Sequence, residues 1–227
     1  MNAAATALGP LIAGDRLTRE EFVRRWEEMP ELKRAELIGG QVYMPSPLSA
    51  SHDRTSTLVA AWLWAYSQAT PGCQSGANAT WYMLHDAPQP DAHLRILPEY
   101  GGRCFVKDDF YHGAPELAVE VALSSTSYDL HQKKELYAKA GVKEYLAVLL
   151  KEREVRWGRL VAEDYQQLTV YPDGSTRSLV FPGLWLDARA LLDGNTARLL
   201  EVLQQGLNSP EHAEFVERLA GMRKDQA

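Results

Sequence analysis

In the stretch Leu117-Ala118-Val119-Glu120-Val121-Ala122-Leu123 a single carboxylate interrupts an otherwise apolar run. Such a group carries a desolvation cost unless it is paired or binds a cation. Asp91 follows Gln89-Pro90 and opens a segment of its own. Pro90 forces extended backbone there and supplies no ladder donor. An Asp at the start of one strand and a Glu in the next predicted strand can point into one cleft. Two acids held close repel, and a divalent cation removes that repulsion. Magnesium is bound in this way, by one or two carboxylates with waters and a substrate phosphate. Hydrolysis of a phosphodiester also needs a group to orient water and offset developing negative charge. Lysine suits both tasks, and Lys133 and Lys134 lie on the helix predicted directly after Glu120. Lys133 shares a helical face with Asp129, Leu130, Tyr137 and Ala140. Lys134 also lies four positions from Leu130 but is the poorer geometric choice. Taken singly, each residue has a plainer reading: a strand-end acid facing water, or a solvated helix lysine.

The elements that must hold these groups are readable from pattern. Thr18-Arg19-Glu20-Glu21 has capping-box spacing, with Leu17 and Phe22 as a hydrophobic staple. This predicts a helix to about Glu28. Residues 34–38 and 41–44 flank Gly39-Gly40 and predict a tight hairpin. After Pro45-Ser46-Pro47, Ser49 or Ser51 can cap a helix to about Ala69, with Leu58, Val59, Trp62, Leu63 and Tyr66 at helical spacing. Strands are expected over 80–84, 91–96 and 117–123, with a loop across Gly101-Gly102 and Lys107-Asp108-Asp109. Ser124-Ser125-Thr126-Ser127 can cap a helix over 128–140, which Gly141 ends. Residues 144–150 form another buried strand, so a right-handed crossover between parallel strands is expected. Strands near 154–161, 166–170 and 176–181 follow. Two or three short amphipathic helices fill the chain from 187, and residues 223–227 are expected to fray.

The chain has 227 residues, a formal net charge of −6 and ordinary globular composition, with 45% hydrophobic and 24% charged residues. One domain with an appendage is expected: a loose arm over 1–16, a body over 17–186 and a helical extension over 187–227. The acidic balance gives no chain-wide footprint for nucleic acid, so such binding requires a local basic face or a bound cation. Cys73 and Cys104 form no CxxC pair and read as idle thiols in a reducing cytoplasm. No apolar stretch approaches the ~20 residues that span a bilayer, so a soluble cytoplasmic protein with no membrane partner is expected. HExxH, GxSxG and GxxxxGK motifs do not occur.

Gln89-Pro90-Asp91, then Ala114-Pro115-Glu116-Leu117-Ala118-Val119-Glu120-Val121, then Ser124-Ser125-Thr126 with Asp129 and Lys133, then Tyr137-Ala138-Lys139-Ala140-Gly141-Val142-Lys143-Glu144-Tyr145 together resemble the Uma-two family, a bacterial group of endonucleases. Leu17-Thr18, Phe22, Glu36-Leu37-Ile38-Gly39-Gly40 and Pro47 with His52 extend the resemblance over about residues 17–185. It implies an α/β restriction-endonuclease-like core of PD-(D/E)XK type, a mixed β-sheet flanked by helices, here with a C-terminal helical extension. It further implies a magnesium-dependent endonuclease, with manganese as a substitute metal and DNA as the nucleic-acid substrate. Asp91 and Glu120 would be the metal carboxylates and, with Lys133, the catalytic set. Glu36 and His52 would be auxiliary. Ala122 stands where the usual motif carries its lysine, and the family lysine on the following helix maps to Lys133. The turn 123–126 lacks the family's proline and the spacing from Glu120 to Asp129 is one residue shorter than in the family, so Lys134 stays an alternative. His93, on the same strand face as Asp91, is expected to fill the cleft wall. The extension is expected to serve dimerisation, as a homodimer, or partner binding. The rival readings are an interaction protein that keeps the fold without activity and a metal-dependent hydrolase of a different phosphoester.

Overall fold

The computed structural model describes residues 9–44, 49–124 and 128–223. The Pro45–Pro47 break, the 125–127 part of the expected cap, the Asp129 side chain, the first eight residues of the arm and the terminal 224–227 lie outside them. In chain order the elements are α1 (Arg19–Glu27), β1 (Glu36–Ile38), β2 (Gln41–Tyr43), α2 (Ala50–Ala69), β3 (Cys73–Gly76), β4 (Trp81–Tyr82) and β5 (Ala92–Ile96). They continue with β6 (Phe105–Lys107), β7 (Phe110–His112), β8 (Leu117–Ala122), α3 (Tyr128–Ala140), β9 (Glu144–Leu149) and β10 (Glu154–Val161). The chain closes with β11 (Asp164–Gln167), β12 (Ser175–Arg177), β13 (Trp185–Asp187), α4 (Ala188–Asp193), α5 (Thr196–Leu207) and α6 (Pro210–Met222).

Local chemistry accounts for the element boundaries. The Thr18 hydroxyl accepts from the Glu21 amide and starts α1. Ser49 does the same for the His52 amide at the start of α2. Gly39 and Gly40 both take positive φ, 59° and 72°, as the tight β1–β2 turn requires. Their amides donate to the two carboxylate oxygens of Asp86, each at 3.0 Å, which ties the hairpin to the chain ahead of Asp91.

The central sheet has the order β11-β10-β9-β8-β5-β3. Strands β8 and β9 are parallel and joined through α3; the other pairings are antiparallel. Alternation along β8 explains its apolar composition. Leu117, Val119 and Val121 join the core against α2, and Ala118 lies on the opposite side with Leu130 and Tyr137 of α3. In β9, Leu146 and Val148 face the α2 side while Tyr145, Ala147 and Leu149 face α3. A strand covered on both faces reads as a continuous apolar run.

The α2 side of the sheet is closed by the late helices. Leu191, Leu199, Leu203, Phe215 and Leu219 belong to the same core as Trp62, Tyr66 and Trp157. Three hydrogen bonds fix α2 beneath them: the Trp62 indole donates to the Trp185 carbonyl (3.0 Å), the Tyr66 hydroxyl donates to the Pro182 carbonyl (2.8 Å), and Thr70 Oγ1 pairs with His212 Nε2 (2.9 Å).

Several segments differ from the pattern expected above. Residues 9–16 are not loose: Leu11 is buried, and Gly14 and Asp15 exchange backbone hydrogen bonds with Val42 at 2.8 and 2.9 Å. The loop expected across 101–109 contains the hairpin β6–β7, which builds a three-stranded sheet with β4. The strand expected over 176–181 is shorter, and β12 pairs instead with β13.

Candidate active site

Asp91 stands one residue ahead of β5. The β5–β8 register pairs Ala92 with Val119, so one further step places Asp91 opposite Glu120. Directly opposed residues of an antiparallel pair project to the same face. Asp91 Oδ2 takes over the missing ladder contact and accepts from the Val121 amide at 2.7 Å.

Glu120 projects to the α3 face, and its side chain is nearly excluded from solvent. Tyr137 donates its hydroxyl to Oε1 at 2.6 Å, and Lys133 Nζ lies 3.1 Å from Oε2. The same ammonium lies 2.8 Å from Glu36 Oε1 and donates to the Gln89 carbonyl at 3.2 Å. The Gln89 amide in turn donates to Glu36. Lys133 is 5% exposed, so its charge is committed to this cluster. From the α2 side, His52 Nε2 reaches to 3.6 Å from Asp91 Oδ2.

The structure therefore brings Glu36, His52, Asp91, Glu120 and Lys133 to one end of the central sheet. Lys134 is elsewhere: it pairs with Asp164 at 2.7 Å, with both side chains substantially exposed. His93 is fully buried and meets the stacked rings of Trp81 and Tyr111 edge-on, at centroid distances of 4.8 and 5.1 Å. Burial pushes its pKa down to about 3, which keeps the imidazole neutral. Two contributors carried no separate signal in the sequence, the Gln89 carbonyl and the Tyr137 hydroxyl. Tyr137 lies one helical turn after Lys133, a spacing that places both on one face.

Three carboxylates share one ammonium. Burial opposes ionisation of Asp91, yet its contacts with His52, Lys133 and the Val121 amide outweigh that and hold its pKa below the usual range. Burial raises the pKa of Glu120, opposed by Lys133 and reinforced by the charges of Asp91 and Glu36. For Lys133, burial favours loss of the proton, but Glu120, Glu36 and Asp91 together raise its pKa and keep it charged. Interaction with Asp91 raises the pKa of His52. The cluster is short of positive charge.

That imbalance tests whether a metal suits the site. Asp91 and Glu120 offer hard oxygen donors from facing positions, which matches the one or two carboxylates that magnesium uses. Among the described residues no three His, Cys, Asp or Glu side chains gather as a ready-made cage, and magnesium needs none because waters and phosphate complete its shell. The donor chemistry of Asp91 and Glu120, hard carboxylate oxygens on facing positions, fits a hard divalent cation.

The fold is of mixed α/β class, with an acid–lysine cluster at one end of its central sheet. A family model described as "Putative restriction endonuclease", Uma2, matches residues 19–189, and the chain belongs to that family. Among solved structures it is similar to a protein of Anabaena variabilis ATCC 29413 described as a putative nuclease belonging to DUF820. That similarity has a TM-score of 0.56 at 14% identity, covering 78% of this chain and 99% of the other, and it shows a shared fold. No curated protein matches the chain. No helix among the described residues is long and apolar enough to cross a membrane.

Proposed function

We propose that the chain is a magnesium-dependent endonuclease that hydrolyses phosphodiester bonds in DNA. The observation that carries this reading is the ammonium of Lys133 held between Glu36 and Glu120, beside Asp91, at one end of the sheet. In this reading Asp91 and Glu120 hold the metal, which when bound supplies Lewis-acid polarisation of the scissile phosphate. Lys133 keeps its proton, orients the attacking water and steadies the charge that develops on the phosphate oxygens. Glu36 fixes Lys133, and His52 fixes Asp91. Cutting both strands of a duplex suits a two-fold pair of sites, so the reading includes a homodimer. The two buried free thiols suit a cytoplasmic setting.

The test is plasmid cleavage in Mg²⁺ or Mn²⁺ by the wild type beside Asp91→Ala and Lys133→Ala. Cleavage by the wild type and loss in both variants is expected. Cleavage that survives both substitutions refutes this site. The second reading, a non-catalytic binding protein, is favoured by the engagement of Glu120 by Lys133 and Tyr137 within the protein itself. Absence of cleavage of DNA and RNA with either metal would select it.

A further inference from the structure

A groove of about 870 Å³ lies between the first turns of α2, the segment linking β9 to β10 and the stretch from α4 into α5. Arg54, Leu123, Lys151, Arg153 and Asp193 are among its lining residues. Two features join it to the candidate active site. Its α2 wall is the turn that carries His52 to Asp91. Its floor includes Leu123, three residues beyond Glu120, whose carbonyl accepts from the Lys151 amide at 2.9 Å. The groove therefore begins where β8 leaves the sheet.

Its charges are unequal in availability. Arg153 is tied to Asp193 by an ion pair. Arg54 and Lys151 are exposed and make no ion pair with any described residue, with Asp53 as the acid on the same wall. The N-terminal end of α2, a helix of 20 residues, adds partial positive charge nearby. Free cations in an open groove whose α2 wall belongs to the turn carrying His52 toward Asp91 suit a polyanion with one unit near that carboxylate and further units along the groove. A protein of net charge −6 needs such a local basic track to hold nucleic acid.

We propose that this groove carries the sugar–phosphate backbone of the nucleic-acid substrate to Asp91 and Glu120, with Arg54 and Lys151 each engaging one phosphate. The proposal rests on the nuclease reading above and names where the substrate lies. Backbone contacts position a duplex without reading its sequence, so the groove contributes affinity and register, not site selection.

The test uses the full chain in EDTA, where binding is read without cleavage. Anisotropy of a short fluorescein-labelled DNA duplex is followed from about 50 to 200 mM NaCl. In Arg54→Ala/Lys151→Ala the slope of log affinity against log salt is expected to be shallower by about 2, with affinity lower by about tenfold or more. Arg54→Lys/Lys151→Arg keeps the wild-type slope. Lys107→Ala/Lys139→Ala removes the same charge outside the groove and leaves slope and affinity unchanged. Wild-type slope and affinity in the Ala pair overturn the groove while the nuclease reading stands. A wild type that binds and cleaves neither DNA nor RNA overturns both.

Discussion

The Tyr137 hydroxyl donates to Glu120 Oε1 at 2.6 Å, which leaves Oε2 as the oxygen turned toward Lys133. A carboxylate held by one oxygen presents the other in a fixed direction. Outer hydrogen bonds of this kind commonly set metal affinity within a factor of 10 to 100.

Tyr137→Phe is therefore expected to weaken Mn²⁺ binding by about 10- to 100-fold in titration calorimetry. Loss of the single hydrogen bond lowers stability by only about 1 kcal/mol. Unchanged metal affinity would reduce Tyr137 to a packing residue.

Lys133→Ala leaves Glu36 and Glu120 without their cation, and breaking a buried pair costs about 3–5 kcal/mol. Urea unfolding should show that loss. Lys134→Ala removes an exposed contact worth about 0–1 kcal/mol and should leave cleavage intact. The reverse pattern would move the functional lysine to Lys134.

Stability without metal should fall as pH rises. The raised pKa of Glu120 means that the folded state binds more protons than the unfolded state between the ordinary carboxylate range and the folded pKa. The stabilisation from this proton is complete below the ordinary Glu pKa and disappears as pH climbs through the raised value. Melting in EDTA across that window should show the decline, and Glu120→Gln should flatten it. Bound metal displaces the proton, so Mg²⁺ affinity should rise with pH over the same window.

Glu144 is a buried carboxylate of a different kind. It accepts from the Trp157 indole, the Ser178 hydroxyl and the amides of Leu179 and Val180, at 2.7–3.1 Å. Its replacement by Ala strands these donors at about 1–3 kcal/mol for each group left unsatisfied. Chemical denaturation should show a large loss, while activity per folded molecule persists at low temperature. Selective loss of activity would tie β9 to the chemistry.

Glu120 was legible because a charge within an apolar run must be explained, and Asp91 because Pro90 marks a strand entry. The choice between Lys133 and Lys134 was not, since both lie at helical spacing from Leu130. It is set by the rotation of α3, which packs Leu130 and Tyr137 against the sheet. The β6–β7 hairpin escaped notice because its turn uses Asp108 and Asp109 at positive φ, 51° and 66°, where glycine or asparagine is the usual signal. Strand β3 offers only Cys73 as an apolar residue, and its pairing with β5 comes from the backbone. Residues 9–16 are likewise held by main-chain bonds to the hairpin, which leave no periodicity to read.

The clamp of Trp185, Pro182 and His212 on α2 sets an order of events during synthesis. Chains leave the ribosome N-terminus first, so α2 emerges well before the helices that cover Trp62 and Tyr66. Until residues 182–219 arrive, the aromatic flank of α2 is unclad, and its opposite end has no firm footing from which to aim His52 at Asp91. Nascent chains thus carry Glu36, Asp91, Glu120 and Lys133 before they carry the helices that cover the far flank of α2.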